Sequence, residues 1–357
     1  MVDSVRTSAA RIAILLGGAI LAVVSLGDAC RSLAATASGS AGSGAACAML
    51  APAAAAAVHD LPAGLPCPTR GKAWKIGILH VGDCPYCSGL LASYKEEAAV
   101  LGVRTTILNA QLKSDLQAQQ LDQLIAERPD IIIAVPVNTK ALIPGLARAK
   151  AAGIPVVNAT IKVDPSGEPY VVGYVGIDDT LAGKLSADLM IKAIKDNGKI
   201  AIVAGQPGGS EVLRTKGFKD EIAAAAPAVR IETTQYTDFT KENALAVTRS
   251  LLARYPDLSG IWGEDDTIGS GIAQAVSDVG KTAQIQIVGM NGNKAGCAAI
   301  QSGHMYGTIV QQPYVDGAWS VIYAVDVLEG HQPAKFIALS QPEITKANIA
   351  EWLPKCW

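Results

Sequence analysis

Aromatic side chains are scarce in this sequence of 357 residues, which contains only three Phe. Any aromatic contact with a ligand must therefore come largely from its five Trp and nine Tyr. An excess of either charge is also lacking, because 30 Lys and Arg stand against 32 Asp and Glu, and both kinds are spread along the chain. Without a basic stripe, nucleic acid is not an expected partner.

Several catalytic and cofactor-binding patterns are missing as well. No group of His, Cys, Asp and Glu has the spacing of a zinc site, and no Gly-x-Ser-x-Gly elbow marks a serine nucleophile. The glycine-rich segment Gly205-Gln206-Pro207-Gly208-Gly209-Ser210 lacks the Lys of a phosphate-binding loop, so a tight turn is expected there. We therefore expect no enzymatic activity, no metal and no cofactor.

The N-terminal region lacks a run long enough to span a membrane. Arg6 and Arg11 precede the apolar residues 12–26, which are fewer than the ~18 that a spanning helix needs. An Ala-x-Ala cleavage pattern follows at Ala35-Thr36-Ala37. The sequence thus predicts a signal peptide over residues 1–37 and a location in the periplasm.

Two further features of this region bear on export. A lipoprotein anchor at Cys30 is the alternative, but Gly27-Asp28-Ala29 lacks the usual apolar residue three positions upstream. Residues 38–73 are mainly Ala, Gly, Ser and Pro with few charges, a composition that cannot bury enough side chain to fold. We expect a low-complexity leader there.

From residue 74 onward, apolar runs of strand length alternate with segments of helix length. Continuous Val and Ile runs such as 131–137 and 200–204 are typical of strands buried on both faces of a parallel sheet. The alternation reaches Asp178 and restarts at Lys199, and its roughly ten strands are too many for one typical open sheet. The sequence therefore predicts an α/β fold with two doubly wound αβα (Rossmann-like) domains.

Helix boundaries are marked at two places. Ser114-Asp115-Leu116-Gln117 fits a capping box, which predicts a helix capped by Ser114. Thr240 is expected to cap another helix, which Pro256 ends.

Polar residues recur at the carboxyl ends of the predicted strands, where open α/β folds bind their ligands. Each alone is usually a helix cap or a turn former. Together, carboxylates, amides and an Arg around a cleft suit a hydroxyl-rich solute. These residues are Asp83, Asn138, Asn158, Asp178, Arg214, Asp265, Asp266, Asn291 and Gln311.

Cysteine is comparatively abundant, and six Cys remain after the expected cleavage, an even number that suits disulfides in an oxidising compartment. Cys84-Pro85-Tyr86-Cys87 is identical to the active-site tetrapeptide of glutaredoxins, so a thiol oxidoreductase is one hypothesis. A thioredoxin-like domain would continue in one small sheet with antiparallel strands, whereas here a long αβ series follows. A structural disulfide at the same place is the favoured interpretation.

Several motifs occur in an order typical of one family. They are Asp83-Cys84-Pro85-Tyr86-Cys87, Pro136-Val137-Asn138, Gly153-Ile154-Pro155-Val156-Val157, Asp178-Asp179-Thr180-Leu181-Ala182-Gly183, Leu213-Arg214-Thr215-Lys216-Gly217-Phe218, Asp238-Phe239, Trp262-Gly263-Glu264-Asp265-Asp266, Val288-Gly289-Met290-Asn291-Gly292 and Gln311-Gln312-Pro313. From Trp74 to about Thr345, the chain resembles the sugar-binding branch of type I periplasmic binding proteins, close in pattern to ribose-binding proteins.

The resemblance implies two lobes joined by three crossovers, near Ile177–Asp178, Gln311–Pro313 and Leu339–Gln341. The N-terminal lobe would comprise residues 74–177 plus 312–340, and the C-terminal lobe residues 178–311 plus 341–357. A ligand would bind between the lobes, which would close by hinge motion. Cys297 and Cys356 would both fall in the second lobe, and we predict a disulfide between them.

The resemblance also implies a set of ligand-binding residues. Tyr86 and Phe239 would stack on apolar faces of the ligand, and the polar members would satisfy its hydroxyls. Thr160-Ile161 stands where ribose binders have Asp-Arg, which favours a polyol, a cyclitol or another small polar solute over ribose. The full set is Asp83, Cys84, Tyr86, Cys87, Asn138, Asn158, Thr160, Asp178, Arg214, Phe239, Asp265, Asn291 and Gln311.

The function that the resemblance implies is capture of a sugar, polyol or cyclitol in the periplasm and delivery to the permease of an ABC transporter. We expect a monomer. A ligand sensor for a receptor kinase or chemoreceptor would have the same fold and pocket and stays an alternative. A thiol oxidoreductase that uses Cys84 and Cys87 is the third hypothesis.

Overall fold

The computed structural model describes Ala54 and residues 72–357. The predicted signal peptide and nearly all of the predicted leader lie outside the described residues. Among the described residues, none of the helices combines the length and the apolar character that crossing a bilayer requires.

The described chain forms two six-stranded sheets. The first sheet is parallel throughout, in the order β11-β5-β4-β3-β1-β2. Its strands are β1 (Lys75–His80), β2 (Arg104–Asn109), β3 (Ile131–Ala134), β4 (Val156–Ala159), β5 (Gly173–Gly176) and β11 (Phe336–Ala338).

The second sheet has the order β12-β10-β9-β8-β6-β7, and only its edge strand β12 runs antiparallel to its neighbour. Its strands are β6 (Gly198–Ala204), β7 (Val229–Tyr236), β8 (Gly260–Gly263), β9 (Gln286–Asn291), β10 (Gly307–Val310) and β12 (Glu343–Thr345). The two sheets therefore repeat one doubly wound arrangement, as the sequence predicted.

Helices pack on each sheet, and each sheet with its helices is called a lobe below. The first lobe contains α1 (Pro85–Leu101), α2 (Ser114–Glu127), α3 (Ile143–Ala151) and α9 (Pro313–Leu328). The second lobe contains α4 (Asp179–Ile194), α5 (Glu211–Ala225), α6 (Lys241–Arg254), α7 (Asp266–Asp278), α8 (Lys294–Ser302) and α10 (Ile349–Trp352). Short 3-10 turns occur at Pro165–Tyr170 and Leu353–Lys355.

The continuous apolar runs are explained by burial on both faces of a sheet. In β3, Ile131 and Ile133 pack with α1 and α9, whereas Ile132 packs on the opposite side with α2 and α3. In β6, Ile200 and Ile202 likewise join one cluster while Val203 joins another. Because each face is covered by helices, these strands show no polar alternation.

The chain passes between the lobes three times. The passages lie between β5 and α4, between β10 and α9, and between β11 and β12. Since α9 packs on α1 and on strands β3, β4 and β5, the chain returns to the first lobe after β10. The positions of these passages agree with the three crossovers that the family resemblance implies.

Both predicted helices are present, but only one of the two predicted caps is confirmed. Thr240 caps α6, because its hydroxyl accepts a hydrogen bond from the Asn243 N–H at 3.2 Å. The capping box at Ser114 does not form, since Lys113 occupies the cap position without a side-chain bond. Gln117 is buried instead, where its amide donates to the Val135 carbonyl and accepts from the Val137 N–H. Gln117 therefore stabilises the turn after β3 and does not complete the capping box with Ser114.

Two disulfides occur among the described residues. Cys84–Cys87 spans a sequence separation of 3, at the start of α1. Cys297–Cys356 spans a separation of 59 and ties α8 to the end of the described chain. The Cys297–Cys356 disulfide joins the two cysteines that were predicted to pair.

Removing each disulfide is expected to cost a different amount of stability. In the chain-entropy account the gain grows with loop length, so replacing Cys297 and Cys356 with Ala should lower the free energy of unfolding by about 4 kcal/mol. The same change at Cys84 and Cys87 should cost about 2 kcal/mol. Urea unfolding of both double variants measures the losses, and non-reducing peptide maps verify the bridges in the parent. A larger loss at Cys84 and Cys87 would contradict this expectation.

Candidate functional site

A cavity of about 110 Å³ lies between the lobes, at the carboxyl ends of both sheets. Its walls come from the segments that follow the strands, as expected for open α/β sheets. The first lobe contributes Val81, Cys84, Pro85, Tyr86, Cys87, Leu90, Leu112, Val135, Thr160 and Ile161. The second lobe and the β10 crossover contribute Ser210, Arg214, Phe239, Asp265, Asn291 and Gln311.

Most of the residues expected at the ligand line this one cavity. Nine of the thirteen do so: Cys84, Tyr86, Cys87, Thr160, Arg214, Phe239, Asp265, Asn291 and Gln311. The sequence positions are far apart, so the fold alone brings these side chains together.

The other four expected residues lie outside the cavity wall and bond to the backbone or to a surface neighbour. Asp83 accepts a hydrogen bond from the Asn109 side chain at 2.9 Å. Asn138 accepts from two N–H groups of its own turn, and Asp178 accepts from two in the first turn of α4. Asn158 is buried, and its side chain bonds to the backbone of the β3 end and of the turn after β4. These are the capping and turn roles that single polar residues commonly have at strand ends.

Arg214 on α5 is the central charged group of the site. It is 5% exposed, and its Nε donates to Asp179 Oδ1 at 2.8 Å. Its Nη2 donates to Gln311 Oε1 at 2.8 Å, and its Nη1 lies 3.8 Å from Glu264 Oε1. Burial alone would lower the pKa of Arg214, but the charges of Asp179 and Glu264 outweigh it and raise that pKa. The guanidinium is therefore held charged and fixed in orientation.

Two helices in direct backbone contact place Arg214 beside its partner. A Cβ on Gly183 of α4 would overlap the Arg214 carbonyl oxygen, and one on Gly217 of α5 would overlap the Thr180 carbonyl oxygen. Both positions require glycine, because only hydrogen fits between the helices. The close crossing brings Asp179, in the first turn of α4, within hydrogen-bond reach of Arg214.

Two buried carboxyl groups at the site have strongly raised pKa values. Burial raises the pKa of Asp316 on α9 to about 7, although Oδ2 of Asp316 accepts a hydrogen bond from the Tyr86 hydroxyl at 2.7 Å. Burial also raises the pKa of Asp265 to about 7, against the bond that it accepts from the Ile268 N–H at 2.7 Å. Near neutral pH both groups can hold a proton and act as donors.

Five buried polar atoms without a well-placed hydrogen bond lie here. In the described part of the chain, each of these atoms is shielded from solvent, and a group left without a partner costs roughly 1–3 kcal/mol. At the cavity and the layer behind it these atoms are Thr160 Oγ1, Asp179 Oδ2, Asn291 Oδ1, Gln311 Nε2 and Asp316 Oδ1. Thr160 and Gln311 nevertheless lie close enough to Asp316 to lower the pKa of that carboxyl. Donors and acceptors are mixed, which suits a ligand with hydroxyl groups.

Unfavourable backbone conformations also concentrate at the cavity. Four wall residues other than glycine have positive φ: Leu112 (57°), Thr160 (60°), Phe239 (64°) and Asn291 (107°). Such conformations cost of order 1–3 kcal/mol and persist where the surroundings impose them, commonly at ligand sites. At Phe239 the ring lies so close to Gly205 that a Cβ there would overlap it.

Sequence reasoning did not find three residues of the layer behind the wall. Asp316 carried a signal, since it is an acidic residue within the apolar sequence of α9. Trp357 carried none, because its contacts depend on the folded chain. Its indole N–H donates to the carbonyl oxygens of Asn291 (3.0 Å) and Gln311 (2.9 Å), and its ring meets the Tyr86 ring edge to face at 5.4 Å. Glu264 accepts from the Gly205 N–H at 2.6 Å.

The Cys84-Pro85-Tyr86-Cys87 segment occupies the wall of this cavity. Strand β1, which precedes this segment, belongs to a sheet that is parallel throughout. A thioredoxin-like domain would instead have a small sheet with antiparallel strands. Tyr86, between the two cysteines, bonds to Asp316 and packs on Trp357. The disulfide is therefore part of a binding cleft, and the glutaredoxin-like tetrapeptide does not reflect the fold.

One group of possible metal ligands occurs among the described residues, away from the cavity. Asp326, Glu329 and His331 cluster at the end of α9. His331 Nδ1 lies 3.3 Å from Asp326 Oδ1, so a hydrogen bond between these two side chains accounts for their proximity.

The raised pKa of Asp316 predicts a stability that falls with rising pH. Above pH 4 the unfolded chain has lost this proton while the folded protein still binds it, so stability declines until the pH passes the folded value of about 7. Replacing Asp316 with Asn should flatten this decline. Denaturant unfolding at pH 4.5 and 7.5 measures it.

Asp278→Asn is the matched control for that measurement. Bonds from Arg249 and Gln274 lower the pKa of Asp278, so its stabilising effect is lost only in the acid range below pH 4. This variant should keep the parental decline between pH 4.5 and 7.5. An Asp316→Asn protein with the same decline as the parent would contradict the assignment.

Comparisons with known proteins agree with this geometry. Residues 78–332 match the family described as periplasmic binding protein domain. The chain is 31% identical over 237 residues to the xylitol-binding protein of Mycolicibacterium smegmatis, covering 65% of this chain and 66% of that protein. It is 28% identical over 256 residues to the ribose import binding protein of Bacillus subtilis, covering 71% and 81%. The alignments thus span just under two thirds of the first relative and about four fifths of the second.

A solved structure gives the same result. The Caulobacter myo-inositol binding protein, bound to myo-inositol, superposes with a TM-score of 0.73 at 26% identity, covering 79% of this chain and 96% of that one. This similarity in fold accounts for the parallel sheets, the three crossovers and the cleft between the lobes. The chain belongs to the periplasmic binding protein domain family and has the type I fold of its sugar-binding members.

Proposed function

We propose that this protein captures a small neutral sugar, polyol or cyclitol in the cleft between its lobes and delivers it to the permease of an ABC transporter. The observation that carries the proposal is that donors and acceptors converge on the cavity, among them Arg214, Gln311 and the buried Asn291 Oδ1, which has no hydrogen-bond partner among the described residues. A solute with several hydroxyl groups can satisfy both kinds of atom, since each hydroxyl donates and accepts.

The size of the cavity supports a small solute. About 110 Å³ is well below the roughly 300 Å³ at which pockets for drug-sized ligands begin. The lobes touch across the cleft, where the Thr139 N–H donates to the Gly208 carbonyl at 3.1 Å. The ligand would enter an open form and stabilise the closed one, a population shift through the three crossovers.

The charges around the cavity support a neutral solute. Arg214 already pairs with Asp179 and lies near Glu264, so the described wall of the cavity has no unpaired cation for a ligand carboxylate. An anionic ligand would also meet Asp265. Two of the relatives are named for neutral polyols or sugars, xylitol and ribose, and the solved structure holds myo-inositol.

Transport rather than sensing is the function that the relatives support, because one of them is named an import protein. We infer export to the periplasm through the signal peptide at residues 1–37. A monomer would suffice, since both walls of the cavity come from one chain.

Loss of Arg214 should abolish binding. Thermal-shift screening of pentoses, hexoses, polyols and cyclitols identifies a ligand, and titration calorimetry then compares variants. Arg214→Ala should weaken binding at least about 100-fold, because charge-assisted hydrogen bonds are worth about 1.5–3 kcal/mol each. Arg249→Ala, which removes an exposed Arg paired with Asp278, is the matched control and should bind normally.

A second variant separates binding from folding. Thr160→Val removes a buried hydroxyl that has no well-placed hydrogen bond, so the melting temperature should change little, while ligand affinity should drop about tenfold. If no solute in the screen raises the melting temperature, or if Arg214→Ala binds like the parent, the sugar assignment is wrong.

A further inference from the structure

The two walls of the cavity differ in chemistry. The second-lobe side presents the polar groups of Arg214, Asp265, Asn291 and Gln311. The first-lobe side is built largely from aliphatic side chains and a disulfide: Val81, Leu90, Leu112, Val135, Ile161 and Cys84–Cys87. A solute held between these walls meets hydrogen-bonding groups on one side and mainly apolar surface on the other.

The first-lobe wall has few polar side-chain atoms that can form hydrogen bonds with a ligand. The Tyr86 hydroxyl donates to Asp316 Oδ2 at 2.7 Å, so it can offer a ligand only its acceptor oxygen. Sulfur atoms of a disulfide are weak acceptors. Thr160 is the other hydroxyl of that wall, and it lies close enough to the buried Asp316 to lower the pKa of that carboxyl. Tyr86 and Thr160 are therefore the two side-chain hydroxyls of the first-lobe wall that a ligand can meet.

The backbone places Leu112 in the wall at an energetic cost. Gln111 and Leu112 have φ of 52° and 57°, a region that asparagine and glycine adopt more readily than leucine. The Leu112 N–H donates to the Val81 carbonyl at 3.0 Å, which fixes the turn. Gly82 allows the close approach, since a Cβ there would lie 2.7 Å from Leu112 Cγ. A strained leucine held in a ligand cavity points to an apolar contact with the ligand.

We propose that the solute is amphipathic: hydroxyl groups along one edge meet Arg214, Asn291 and Gln311, and a methyl or methylene group meets Leu112 and Ile161. Deoxy sugars and C-methyl or O-methyl polyols have this chemistry. The proposal rests on the proposed function and narrows its ligand class. A fully hydroxylated sugar would bury a hydroxyl against the aliphatic wall without a partner, which disfavours it relative to the deoxy compound.

Matched pairs of solutes test the proposal on the wild-type protein. Calorimetry compares 5-deoxy-D-ribose with D-ribose, L-fucose with L-galactose, 2-C-methylerythritol with erythritol, and a mono-O-methyl inositol with myo-inositol. In at least one pair the deoxy or methylated member should bind about tenfold more tightly or better. If the fully hydroxylated member binds equally or more tightly in every pair that binds, the proposal is overturned. If no member of any pair binds, the proposed function fails as well.

A variant of the aliphatic wall tests where the preference arises. Leu112→Asn should leave the protein folded, because Asn tolerates the left-handed backbone and this gain offsets part of the lost apolar packing, yet it should reduce the preference to about threefold or less. Arg128→Asn is the matched control: Arg128 is exposed outside the cavity with φ of 50°, so the backbone gain is similar and the preference should stay. If Leu112→Asn keeps the full preference, the assignment to this wall is wrong.

Discussion

The ion pair between Arg214 and Asp179 is the interaction on which the site depends. A buried guanidinium without a partner would be strongly destabilising, whereas a paired one holds a fixed orientation. The pair exists because glycines at 183 and 217 let α4 and α5 touch through their backbones. Arg214 then reaches Gln311 on the β10 crossover, so one side chain links the second lobe to the hinge. Arg214 therefore connects the cavity wall to one of the three crossovers between the lobes.

Charge balance in the cleft follows from the same pair. Asp179, Glu264 and Asp265 act on one arginine, Asp316 lies close to Asp179, and four ionised carboxylates there would be costly. Burial raises the pKa of Asp265 and of Asp316 to about 7, so two of the four acids can hold a proton near neutral pH. A cleft close to neutral, with protonated carboxyls as donors, suits uncharged hydroxyl compounds better than acids or amines.

The sequence predicted the architecture well because strand burial leaves a local trace. Continuous apolar runs such as 131–137 arise in strands whose sheet is covered by helices on both faces, and such runs can be recognised from the sequence. The site could be predicted only in part from the sequence, because a polar residue after a strand can either bind a ligand or cap a turn or helix. Asn138 and Asp178 cap turns or helices, whereas Asn291 and Gln311, at comparable positions, reach the cavity. The direction of a side chain beyond its strand depends on the turn, which single-residue patterns do not encode.

The layer behind the wall was the least predictable part, because it is assembled from chain segments that are remote in sequence. Trp357 joins the carbonyl oxygens of Asn291 and Gln311 in the second lobe to the Tyr86 ring in the first. The two disulfides adjoin this contact, one bracketing Tyr86 and the other holding Cys356 next to Trp357. Both partners are thereby anchored covalently within their own lobes. The Tyr86–Trp357 contact links the two lobes directly beside the cavity. If the lobes part to admit a solute, as proposed, this contact has to break, so it would stabilise the closed form together with the ligand.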